Sequence, residues 1–271
     1  MKSLSVLELS KLYSINRQTI YNQINKGILS PKLNFLYKYN DKLQLFLKLG
    51  KGFHSNDTRV NVANGGRKTL PASYGSDLGF VWKPMPKLII NSALWYLFLE
   101  QEFVYVGDAG IVEPSGKTAR KGIDLGLRYQ FTDWLFLNAD YTYTDAKSID
   151  AVKAENKIPL APKTTLVAGI NYRAEKGFSG SIYSRYLGDR PANEANTIVA
   201  KGYCITDMNV GYAFNSGIEV GSIIKNIFDA DWNETQFATE SRLFNEASAV
   251  TEIHFTPGTP FNGRLFLKYK F

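Results

Sequence analysis

Few stretches of this chain carry residue types that could do chemistry, and each is incomplete. Gly110 to Thr118 approaches a phosphate-binding loop, ending in Gly116-Lys117-Thr118. It has one residue too many between its two glycines, and it sits between two strand-like runs rather than before a helix. Asp229, Asp231 and Glu234 could supply oxygen ligands to calcium, but the twelve-residue calcium-loop pattern is missing and a solvated loop is the simpler reading. The histidines, His54 and His254, lie far apart, and Cys204 is the single cysteine. That leaves no internal disulfide and no cysteine-based zinc or iron–sulfur site. There is no Gly-x-Ser-x-Gly nucleophile turn. The sequence therefore predicts no catalytic residues, no resident metal and no cofactor, so an enzyme is not expected.

The elements around these residues are more informative. Alternating runs close six times on a pair of apolar or aromatic residues two apart: Tyr37/Tyr39, Phe80/Trp82, Tyr129/Phe131, Ile170/Tyr172, Tyr212/Phe214 and Tyr269/Phe271. Residues two apart in a strand share a side. A band of rings at one end of many strands suits a membrane interface, where the ring body meets lipid and its polar edge meets headgroups. From Pro31 onward the period is two. Ile123, Leu125, Leu127 and Tyr129 alternate with Asp124, Gly126, Arg128 and Gln130; Leu265, Leu267, Tyr269 and Phe271 stand against Arg264, Lys268 and Lys270.

One greasy and one charged face fits either a soluble sandwich or a membrane barrel. The connections separate the two. Short ones (Asn40-Asp41, Lys83 to Pro86, Thr132 to Trp134, Ala174 to Gly177, Asn215 to Gly217) alternate with long ones (Lys51 to Pro71, Gly107 to Arg120, Asp145 to Lys163, Gly188 to Gly202, Asp229 to Pro260). The aromatic pairs gather at the short-turn end. A sandwich has no reason to sort loops and rings together. The reading is an all-β, antiparallel up-and-down transmembrane meander, a partial barrel of about eleven strands of roughly ten residues each.

Bulk composition does not oppose this. The 271 residues are 44% hydrophobic and 14% aromatic, and mean hydropathy is −0.21. A barrel strand is apolar only at alternate positions, so its average stays mild. No run of about 18 apolar residues predicts a membrane helix. The formal charge of +7 is spread along the chain as a solvated surface. Glu8 and Lys11 interrupt what would be the apolar stretch of a signal peptide, so export of this chain is not expected from its N-terminus.

Residues 1–30 read differently. Val6, Leu7, Leu9 and Leu12 have helical spacing, Asn16 can cap a second helix from Arg17 to Lys26, and Gly27 can end it. The stretch Leu9 to Tyr21 resembles the helix-turn-helix of small excisionase and resolvase-like proteins, which sets it apart as a candidate foreign segment. That resemblance implies Arg17, Gln18 and Asn22 as readers of base edges. A DNA-binding regulator is accordingly one alternative function and a passive porin-like barrel another; a nucleic-acid partner is not the expected one.

The region from about Pro31 to Phe271 resembles the C-terminal half of the barrel of a TonB-dependent outer-membrane receptor. The stretches that carry this are Gly50 to Asp57, Leu94-Trp95-Tyr96, Glu113 to Thr118, Lys225-Asn226-Ile227-Phe228-Asp229 and the final aromatic strand. The resemblance implies import of a scarce ligand such as a metal chelate or a cobalamin-like molecule. It implies outer-membrane lipid as surroundings, TonB as partner of the full-length parent, and recognition of Phe271 by the barrel-assembly machinery. Relative to the family pattern the plug domain and the first half of the barrel are missing, so this piece alone is not expected to transport. Ligand contacts are implied for the loop around Arg190 and for Trp232, Gln236, Arg242 and His254. Arg128, Asp140, Arg173 and Arg185 are expected in interior ion networks.

Overall fold

A computed structural model of the chain describes residues 30–53, 70–106, 111–174 and 177–269. The helix-turn-helix-like segment with Arg17, Gln18 and Asn22, and also His54 and Phe271, lie outside the described residues. The strands are β1 (Lys32–Lys38), β2 (Leu43–Phe53), β3 (Ala72–Met85), β4 (Leu88–Val106), β5 (Ile111–Gln130), β6 (Leu135–Ser148), β7 (Thr164–Arg173), β8 (Gly177–Leu187), β9 (Arg190–Pro191), β10 (Val199–Ala200), β11 (Tyr203–Ala213), β12 (Ile218–Lys225), β13 (Asn233–Ser241), β14 (Val250–Pro257) and β15 (Asn262–Tyr269). Eleven of them form one sheet in the order β1-β2-β3-β4-β5-β6-β7-β8-β11-β12-β15, while β9/β10 and β13/β14 are separate two-stranded ribbons. Every pairing is antiparallel. The expected all-β meander is therefore observed.

The register separates the two faces. Leu88, Tyr129, Leu137, Ile170, Ile182, Met208 and Ile224 are successive cross-strand partners and make one apolar row over seven strands. A shift of one residue gives the other face, with Arg128, Asn138, Gly169, Tyr183 and Asp207 in register. Leu78, Leu94, Ile170 and Ile182 stay about half exposed on the apolar side, at 57%, 58%, 50% and 47%. Among the described residues no second layer covers them. The hydrophobic effect cannot stabilise such a face in water, whereas hydrocarbon covers it at no comparable cost. No described helix is long and apolar enough to cross a membrane; the strands supply the crossing.

Side chains converge on the polar face. Phe46, Trp95, Tyr183 and Phe266 lie directly across from Gly79, Gly122, Gly169 and Gly221. A β-carbon added at those glycines would stand 2.5, 2.5, 2.4 and 2.4 Å from the facing ring. Rings folded over bare backbone fill a concave surface, so the polar side faces inward. Polar groups there satisfy one another. Arg128 grips Asp140 with both oxygens within 2.8 Å, and Arg185 and Lys225 both reach Asp207 at 3.4 and 3.1 Å. Asn138, Asn171 and Tyr183 share hydrogen bonds of 2.7 to 3.2 Å. The expected interior network thus forms around Arg128, Asp140 and Arg185; Arg173 makes no ion pair among the described residues.

The aromatic rim also forms. Tyr129 packs on Phe131 with centroids 4.1 Å apart, Trp134 on Tyr172 at 5.1 Å, and Phe178, Tyr212 and Phe214 make a chain at 4.9 and 4.7 Å. Two boundaries differ from the sequence reading. Of the stretch Gly110 to Thr118, Ile111 to Thr118 is strand and not loop: β5 starts at Ile111, and β4 and β5 reach 19 and 20 residues. Gly116 takes φ +71° where the register shifts opposite Glu102, and such a bulge lets the ladder continue past Pro114. The connection from Asp229 to Pro260 carries the β13/β14 hairpin, whose short polar strands gave no clear alternation.

Candidate functional site

The long connections are tied together by backbone. The Lys157 amide donates to the Glu194 carbonyl at 3.1 Å and Leu160 donates to Pro191 at 2.7 Å, joining 149–163 to 188–202. Gln236 then joins 188–202 to the β13/β14 hairpin. Its side chain accepts from the Lys201 amide at 3.0 Å and donates to the Lys201 carbonyl at 2.8 Å, and it is buried. Trp232 packs edge-on against Tyr203 at 4.9 Å and donates its indole N–H to the Thr259 carbonyl at 3.0 Å. Trp232 and Gln236, expected as ligand contacts, have their polar groups engaged in holding loops.

The corner at Asn226 anchors the same assembly. Asn226 is 1% exposed and has φ +50°. Its amide donates to Asp207 Oδ1 at 3.0 Å. Its Nδ2 donates to the Ala230 and Thr259 carbonyls at 2.8 and 3.2 Å, and its Oδ1 accepts from the Ala230 amide at 2.9 Å. Asparagine tolerates the left-handed region and can bond its own chain there, which is the chemistry this turn needs. Asp229, with φ +48°, accepts from the Phe261 amide at 2.8 Å.

Arg190 is 6% exposed, and among the described residues its guanidinium makes no ion pair or hydrogen bond. Burial pulls its pKa below the ordinary arginine value, while Tyr203 and Asp189 nearby act the other way. It lines a cleft of about 490 Å³ with Tyr143, Asp145, Lys157, Lys163 and Asp189. Sequence spacing could not bring Lys157, Lys163 and Arg190 together, because only the backbone bonds between two loops do so. Arg242 is exposed just past β13. His254 Nε2 lies 2.9 Å from Ser241 Oγ within the hairpin. Trp232, Gln236, Arg242 and His254 share the 229–260 segment, and Gln236 connects it to the segment carrying Arg190. Among the described residues no group of three His, Cys, Asp or Glu side chains gathers into a metal site.

Comparison with known proteins agrees with this architecture. Residues 12–227 match the family described as TonB dependent receptor-like, beta-barrel; the match begins inside the segment that the sequence reading set apart. The ferrioxamine receptor of Yersinia enterocolitica is 28% identical over 137 residues, which are 49% of this chain and 19% of that receptor. The catecholate siderophore receptor Fiu of Escherichia coli K12 is 23% identical over 167 residues, 58% of this chain and 22% of Fiu. The chain thus spans about a fifth of the length of these relatives. In fold it resembles the ferric citrate transporter FecA in its unliganded form, with a TM-score of 0.66 and 19% identity over 88% of this chain and 37% of FecA. The antiparallel meander of eleven strands follows the fold of these receptors, and this chain belongs to the TonB-dependent receptor-like β-barrel family, whose members are outer-membrane receptors.

Proposed function

We propose that this chain forms the C-terminal part of the barrel wall of a receptor that brings a metal chelate across the outer membrane. The observation that carries the reading is the inward polar face, where Arg128 pairs with Asp140 and Arg185 and Lys225 with Asp207 across strands, beneath a set of loops tied into one unit. Paired charges hold a passing charged solute less tightly than isolated ones would, and the tied loops hold contact residues in place. Arg242 and His254 on the hairpin are the proposed contacts; Trp232 and Gln236 position them. The similarity to ferrioxamine and catecholate receptors supports a ferric chelate as ligand class. TonB would act on the receptor to which such a wall belongs, and Phe271, following the alternating β15, would serve recognition by the assembly machinery.

The test is tryptophan quenching of the chain folded in neutral detergent, titrated with a ferric tris-catecholate, ferrioxamine and ferric citrate. Saturable quenching by one of them, weakened about tenfold by Arg242→Ala with His254→Ala, is expected. Weak, linear quenching by all three would overturn the reading.

A further inference from the structure

The carboxylates of the inner wall differ in how they use their oxygens. Asp140 gives both to Arg128, at 2.8 and 2.7 Å. Asp207 divides them. Its Oδ2 takes Arg185 of β8 at 3.4 Å and Lys225 of β12 at 3.1 Å, from the two strands that flank β11. Its Oδ1 accepts the Asn226 amide at 3.0 Å. One oxygen therefore faces the ions of the lumen, and the other faces the corner from which the 229–260 segment departs. Toward the long-loop end of β11 the next inward positions are Ile205 and Tyr203. Ile205 is 1% exposed, and Tyr203 carries the ring of Trp232. The base of the segment thus leans over the inner wall on the loop side of Asp207.

We propose that Asp207 is the positioning residue of the 229–260 segment, and that Arg185 and Lys225 control it from inside the lumen. The other bonds of the corner join neutral groups: Asn226 to Ala230 and Thr259, and the Ile227 amide to the Thr206 carbonyl. A hydrogen bond to a carboxylate is about twice as strong as a neutral one. Asp207 therefore makes the firmest single hold on a residue kept at φ +50°. A carboxylate bonded to the Asn226 amide alone could turn about its own side-chain bonds, whereas two cations arriving from opposite sides fix its plane. The Asp207 side chain is 18% exposed, against 49% for Arg185 and 53% for Lys225. Salt and solutes in the lumen consequently reach the cations before the carboxylate, and whatever loosens those pairs loosens the hold on the corner. The segment carries Arg242 and His254, so the bearing on ligand contact rests on the function proposed above. The exchange experiment below uses no chelate, so either can fail alone.

The full chain, folded in neutral detergent, is followed by hydrogen exchange and mass spectrometry. The amides read are those of Asn226 and Ala230, both bonded at the corner, with β2 and β3 as reference strands. A half-exposed ion pair is worth up to roughly fivefold in an equilibrium constant. Arg185→Gln with Lys225→Gln should therefore speed exchange at the corner on the order of tenfold and leave the reference strands unchanged. Asp207→Asn keeps the shape of the acceptor without its charge and should act alike; combined with the two cation variants it should add nothing further. Arg128→Gln removes a lumen cation whose pair has no bond to the corner, so the corner should keep its native rate. Raising sodium chloride should accelerate the corner severalfold in the unaltered chain and not in Asp207→Asn, which has no such pairs to screen. A corner that keeps its native rate without the two cations, or that ignores salt in the unaltered chain, overturns the proposal. Equal acceleration in β2 and β3 overturns it too, because the loss would then belong to the whole sheet.

Discussion

Replacing Asn226 by alanine tests the loop corner most sharply. The side chain makes three hydrogen bonds, to the Ala230 amide, the Ala230 carbonyl and the Thr259 carbonyl, at 2.9, 2.8 and 3.2 Å. Alanine strands the Ala230 amide and carbonyl in a site where the native residue is 1% exposed, while the Thr259 carbonyl keeps the Trp232 indole as donor. A stranded buried polar group costs about 1–3 kcal/mol, and a left-handed φ costs alanine about 1–2 kcal/mol. Water entering the opened corner recovers part of the first cost. The net expectation is about 4 kcal/mol, more than half of it from the bonds. Glycine removes the backbone strain but not the lost bonds, so Asn226→Gly should recover about 1 kcal/mol of the loss. The assay is unfolding in neutral detergent followed by tryptophan fluorescence, paired with limited trypsin digestion. Because the corner fastens the 229–260 segment, cleavage after Arg242 should accelerate before the sheet itself melts. An alanine variant with native midpoint and native cleavage rate would refute the claim that this residue holds the loops.

The two faces and the interior contacts can be probed in the same way. Ile182→Arg on the apolar side should cost about 2–4 kcal/mol in a bilayer, while Val167→Arg on the polar side should cost under about 1 kcal/mol; equal costs in vesicle-folded protein would invert or abolish the assigned faces. Gly122→Val would drive a β-carbon to 2.5 Å from Trp95 and should destabilise by about 1–3 kcal/mol, seen as loss of heat-modifiable gel mobility at lower temperature. Gly263→Ala, with nothing within 4 Å of the added carbon, is the control and should stay within about 0.5 kcal/mol. Glu102→Gln leaves Arg120, a partly buried partner at 2.7 Å, with a weaker acceptor; a loss of about 1–3 kcal/mol is expected by urea unfolding.

Much of the sheet is legible in the sequence because period-two alternation and turn residues agree. The runs ending at Tyr129 and Tyr212, and the breaks at Thr132 to Trp134 and Asn215 to Gly217, fall where the ladder stops. The reading fails where side-chain pattern and backbone pairing part company. Pro114 and Gly116 look like loop residues, yet a bulge carries them within β5. Gln236 and Trp232 were expected among the ligand contacts because polar and aromatic loop residues suit binding; what the sequence did not show is that they also tie loops, through hydrogen bonds to Lys201 and Thr259. The Lys157, Lys163 and Arg190 cluster had no signal at all. Its members come from two connections, and what unites them is main-chain bonding that depends on no particular side chain.

The order of the sheet has a directional consequence. β1 runs toward the rim marked by Tyr37, and β15 runs toward that same rim, ending where Tyr269 pairs with Ile218. The first and eleventh strands of an alternating series must point the same way. A seam joining them would be parallel, with slanted bonds unlike every other pair in the wall. A copy turned about the membrane normal would present the same mismatch. Only an odd number of intervening strands lets hydrogen bonding continue around a ring with its alternation intact.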